Sequence, residues 1–126
     1  MANRITAWAI DCRDGRLLAE FWTSVLDWVV TDTDDDEGIV SIKPSPDAEW
    51  GIDFLVVPDG PKSTKNRVHL DLRSTDRDQD GELERLLSLG ARPVDIGQGD
   101  VTWHVLADPE GNEFCLLRGR VEPETA

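Results

Sequence analysis

Ile5-Thr6-Ala7-Trp8-Ala9-Ile10-Asp11 and Arg67-Val68-His69-Leu70-Asp71-Leu72-Arg73 carry one pattern twice. The first run is followed by Asp14 and then Leu17, Leu18, Phe21, Trp22, Val25 and Leu26. The second is followed by Asp76 and then Leu83, Leu86, Leu87 and Gly90. Laying Ala7 on His69 puts Asp14 on Asp76, and both segments change from period-two alternation to helical spacing at the same point. The chain therefore reads as α+β, two tandem βαβββ modules within a single domain 1–126, with module one at about 4–57 and module two at about 67–118.

Local signals fill in the elements. A first strand over about 4–12 puts Trp8 and Ile10 on one face and Ala7, Ala9 and Asp11 on the other. Asp14 is placed to N-cap a helix to about Leu26, whose apolar stripe must lie on a sheet. Strands follow at 28–31, 38–43 and 51–57. Residues 58–66, rich in proline, glycine and polar side chains, read as an exposed connection between modules. In module two a strand at 67–73, a helix at 76–89 ended by Gly90, and strands at 91–95, 101–107 and 112–118 are expected. Asp108-Pro109-Glu110-Gly111 has the preferences of a type I turn and should join the last two as a hairpin. Val121 to Ala126 reads as a frayed polar tail.

Composition narrows the partners. The 126 residues suffice to bury roughly two-thirds of the unfolded surface. A net charge of −13, from 26 acidic and 13 basic residues, disfavours nucleic acid and anionic membranes alike. Met1 to Thr6 lacks the apolar core of a signal peptide and no later run reaches membrane-spanning length, so a cytoplasmic protein is expected. Cys12 and Cys115 read as reduced thiols rather than a bridge.

The βαβββ repeat, the segment Asn66-Arg67-Val68-His69-Leu70-Asp71-Leu72 and the closing Asp108-Pro109-Glu110-Gly111-Asn112-Glu113-Phe114-Cys115-Leu116 resemble the vicinal oxygen chelate superfamily. The closer likeness is to its small glyoxalase-like, bleomycin resistance-like proteins, from about Ile5 to Arg118. That resemblance implies modules curled into an open, barrel-like sheet with a concave cavity, where many members hold a divalent metal through first and last strands. Carried onto this chain, the ligand positions fall on Ala7, near Asp53, on His69 and on Cys115. Ala7 cannot bind a metal, and Cys115 stands where a Glu is usual. No tightly held metal and no cofactor are therefore expected, although an imidazole, a thiol and a carboxylate can form a zinc set.

His69 and Asp71 share the strand face opposite Val68, Leu70 and Leu72, and a histidine beside an aspartate can move a proton. The competing reading is an ion-pair ladder of Arg67, Asp71 and Arg73. Trp22 and Trp8 read as core, whereas the resemblance implies that Trp103, beside His104, lies where related proteins line their pocket. The acidic run Thr31 to Gly38 fails as an EF-hand: Glu37 stands where glycine is needed and Lys43 where the bidentate Glu is needed. No nucleophile elbow, phosphate loop or Cys-x-x-Cys is present.

The expectation is thus a homodimeric protein binding a small, aromatic or carbonyl-bearing molecule through Asp53, His69, Asp71, Trp103 and Cys115, since open half-barrels leave edges and apolar faces to cover. The alternative is a metal-dependent lyase, isomerase or dioxygenase of the glyoxalase type. An interaction module with a filled cavity is the third class.

Overall fold

Strand β1 (Ala7–Cys12) runs parallel to β4 (Gly51–Val56), while β2 (Val29–Asp34) and β3 (Ile39–Lys43) add antiparallel, in the order β1-β4-β3-β2. The second sheet repeats this as β5-β8-β7-β6, with β5 (Leu70–Leu72) parallel to β8 (Glu113–Leu116), and β7 (His104–Ala107) and β6 (Arg92–Pro93) antiparallel. Each half places its last strand against its first. Neither sheet closes into a barrel. The computed structural model describes residues 2–58 and 62–123. The end of the expected tail, 124–126, and part of the connection, 59–61, lie outside the described residues.

The chain divides into two compact units, Met1–Pro61 and Lys62–Thr125. In unit one, Ile10 and Cys12 lie on the same sheet face as their β4 partners Phe54 and Val56 and the β3 residues Val40 and Ile42. Helix α1 (Gly15–Leu26) covers that face, burying Leu18, Phe21, Trp22 and Val25. Asp14 caps it as expected, its Oδ1 accepting from Leu17 N–H at 3.1 Å. Gly15, the first residue of α1, faces the sheet, where a Cβ would stand in ordinary contact 3.4 Å from Val40 and 3.6 Å from Phe54.

Trp8 departs from its reading as core. It belongs to the helix-facing side but is 44% exposed. It starts an edge strand, and α1 packs on β2, β3 and β4. The acidic run also divides differently: Thr31–Asp34 extends β2, and Asp34 Oδ1 accepts from the Asp36 and Glu37 N–H groups, both at 3.1 Å, to turn the chain into β3.

In unit two, α2 (Gln79–Leu89) begins later than the repeat implied. Asp78, not Asp76, is the N-cap, its Oδ1 accepting from Gly81 N–H at 2.8 Å, while Asp76 is drawn aside into a pair with Arg77 at 3.1 Å. Gln79 Nε2 donates to Thr102 O and Leu116 O and so ties the helix to the sheet. Strand β5 is shorter than the expected 67–73, because the chain bends at Arg67 and Val68. Val68 consequently leaves the core and is 62% exposed. The turn at Asp108 is as expected, with Gly111 N–H donating to Asp108 O at 2.9 Å. Among the described residues no helix is long and apolar enough to cross a membrane.

Candidate functional site

Strand β8 is central in the second sheet, and its register decides what meets on each face. Asp71 pairs with Cys115, which pairs with Val105, so these three project to one side. Leu70, Leu72, Leu106, Phe114 and Leu116 project to the other, under α2. His69 precedes β5 and places Nε2 3.3 Å from Asp71 Oδ1. The imidazole, the Asp71 carboxylate and the Cys115 sulfur all come within 4.8 Å of one another.

These groups differ in exposure and so in what they can do. The side chains of His69 and Asp71 are 41% and 52% exposed, whereas Cys115 is buried at 5%. Burial pushes the Cys115 thiol above its ordinary range, and the neighbouring Asp71 carboxylate pushes it further, against a smaller opposing pull from Lys65. At neutral pH the group is a thiol, a weak hydrogen-bond donor rather than a ready nucleophile. Cys12 and Cys115 are both buried and neither is in a disulfide, in line with two reduced cysteines.

The other sequence candidates are not members of this three-residue group. Asp53 belongs to unit one, where its Oδ1 accepts from Ser41 Oγ at 2.7 Å. Trp103 stands just before β7 and is 39% exposed. A cavity of about 460 Å³ lies at the start of α2, lined by Asp78, Gln79, Asp80, Val101, Thr102, His104 and Arg118. It takes in none of Asp53, His69, Asp71, Trp103 or Cys115. His104 lies on the helix side of the sheet, one strand position out of phase with Cys115's side.

Sequence reasoning missed the strap that reaches this face. Lys62 to Asn66 read as an exposed connection, yet Lys62 Nζ donates to Glu113 Oε2 at 2.6 Å with both side chains largely buried. Asn66 N–H donates to Glu113 Oε1 at 2.8 Å, and Asn66 Nδ2 to Asn112 Oδ1 at 2.9 Å. Burial works to raise the Glu113 carboxyl, but the Lys62 ammonium and the Asn66 N–H outweigh it and hold the group below its usual range. The only sequence signal was a glutamate in the closing motif with lysines in the connection, and nothing local linked residues 47 apart.

Comparison with known proteins supports the architecture. Structures of similar fold include the fosfomycin resistance protein FosX from Mesorhizobium loti, at TM-score 0.67 and 17% identity over 96% of this chain and 95% of that one. FosX from Listeria monocytogenes, solved with Mn(II) and sulfate, gives TM-score 0.65 and 14% identity over 98% of each chain. The trypanothione-dependent glyoxalase I of Leishmania major gives 0.63 and 13% over 93% and 87%. A search of curated protein sequences finds no significant relative. Family-model comparison matches residues 7–117, which include both strand-helix units and the whole His69–Asp71–Cys115 cluster, to the glyoxalase-like domain. The chain belongs to the glyoxalase-like domain family.

Proposed function

We propose that this protein binds a small organic molecule on the face of unit two that carries His69, Asp71 and Cys115, without a tightly held metal. The supporting observation is convergence with exposure: three chemically different groups come within 4.8 Å, and the imidazole and carboxylate remain open to solvent. Polar groups that serve only the interior are buried and fully bonded, as Asp108 is. A carbonyl-bearing ligand would meet donors in the imidazole and the thiol, and an acceptor in the carboxylate. The His69–Asp71 pair also has the make-up needed to shift a proton on such a ligand. The sequence-level expectations of a homodimer and a cytoplasmic location stay part of this reading. β1, β2, β5 and β6 are the edge strands of their sheets, and edges of this kind are commonly covered by a second copy.

A second reading is favoured by the same three donors. One nitrogen, one oxygen and one sulfur ligand, with a fourth position open, make up a catalytic zinc set. His69, Asp71 and Cys115 thus fit a divalent ion, and the sulfur favours a softer one than the Mn(II) of the Listeria FosX structure. Such an ion would polarise a bound carbonyl as a Lewis acid.

Elemental analysis after chelator-free purification, with fragment-screen thermal shifts on wild type, His69→Ala and Cys115→Ser, separates the readings. Substoichiometric metal with ligand-induced stabilisation lost in His69→Ala supports the first. One metal per chain, lost in both variants, supports the second. Ligand-induced stabilisation unchanged in both variants would overturn this assignment of the site.

A further inference from the structure

The charge around the cluster runs against that of the chain. Residues 62–73 contain Lys62, Lys65, Arg67 and Arg73 against Asp71 alone, a local balance of +3 in a protein of net charge −13. Glu113 takes up Lys62, and Arg73 Nη1 donates to Gly119 O at 3.4 Å. Lys65 is held differently. The next residue, Asn66, is fastened to Glu113 by its backbone N–H and Lys62, three residues back, by its side-chain Nζ, and Glu113 projects to the same side of β8 as Cys115 two residues on. The backbone next to Lys65 is therefore held at the site, while its own Nζ donates to the adjacent Asn66 carbonyl at 3.2 Å.

We propose that the ligand of this site is a small organic anion, and that Lys65, positioned by the Glu113-anchored strap, recognises its charged group. The inference rests on the small-molecule reading above. A cation whose backbone is already fixed loses less freedom when it engages a ligand than one on a mobile loop. In a chain of net charge −13, a local positive patch raises the concentration of anions near it. The chain itself brings Lys65 to this face, since the next residue, Asn66, donates its N–H to Glu113 Oε1, and Glu113 lies two residues before Cys115 on the same side of β8. Asp71 would face the neutral, hydrogen-bonding part of the ligand, because a carboxylate repels another anion.

Matched probes test this: benzoate against benzamide and lactate against lactamide, titrated into ¹⁵N-labelled full-length protein and followed at the amides of residues 65–72 and 113–116. At least one anion should bind about fivefold or more tightly than its neutral partner, the scale of a single partly exposed charge interaction. That preference should vanish in Lys65→Gln and return in Lys65→Arg, with amide binding unchanged throughout. A strap merely needed for folding would alter both members of a pair alike and would not respond to the arginine. Equal binding of acid and amide, or a preference that survives Lys65→Gln, overturns the anion inference while leaving the small-molecule reading intact. No shift at these amides with any of the four probes counts against both.

Discussion

Removing the Asp108 carboxylate should cost more stability than any other single polar change in unit two. The side chain is fully buried. Its Oδ1 accepts from Glu110 N–H at 2.9 Å and Asn112 N–H at 3.0 Å, and its Oδ2 accepts from Asn112 Nδ2 at 2.9 Å. Asp108→Ala therefore orphans two backbone donors and one side-chain donor. Each dry, unsatisfied group costs about 1–3 kcal/mol. Glu110 and Asn112 are half-buried, so water reaches part of the turn, and the lower part of that range applies. The sum is about 2–4 kcal/mol, which for a chain of this size lowers Tm by roughly 8–16 °C. Asp108→Asn keeps the oxygen that serves both backbone donors and should lose only about 1 kcal/mol. Calorimetry and urea unfolding of the three proteins measure this. A loss below about 1 kcal/mol for the alanine variant, or equal losses for the two variants, would refute the claim that the carboxylate holds the turn through its backbone acceptors.

The same reasoning sets other outcomes. Asp78→Ala should destabilise by about 1 kcal/mol as a lost N-cap, and Asp76→Ala by much less, because Asp76 and its partner Arg77 are both exposed; urea midpoints of both variants decide it. Phe54→Ala, which empties a fully buried position beneath α1, should cost about 3–5 kcal/mol by the same measurement. The Glu113 carboxyl is held below its ordinary value of 4.5, so its contribution is present in full above that value and fades as pH falls through the lower, folded one. The stability gap between wild type and Glu113→Gln should accordingly be largest near neutrality and shrink in acid, as read from urea unfolding across pH 3–7. A gap that widens on acidification would contradict the Lys62–Glu113 anchor.

The repeat was legible in the sequence because it is written in local rules. Period-two alternation, the helical stripe from Leu17 to Leu26, the Asp14 cap and the Asp108-Pro109-Glu110-Gly111 turn each depend on neighbours within a few positions, and each is present in the structure. Alternation alone also put His69 and Asp71 together, since residues two apart in extended chain share a face. Local rules failed where a competitor sat nearby. Asp76 and Asp78 are both good caps, and only the way Ser74, Arg77 and Gln79 are engaged selects the second.

Nothing local could settle the rest. Whether Trp8 is covered depends on how far α1 reaches across the sheet. Cys115 joins Asp71 because β5 and β8, far apart in the chain, pair in parallel in one register, and a shift of a single residue would have sent the thiol to the other face. Lys62 and Asn66 meet Glu113 across about the same separation. The sequence by itself thus determined the modules and the kinds of donor available. The tertiary structure decided which donors converge, because strand register and long-range pairing are properties of the whole fold and leave no mark within any one segment.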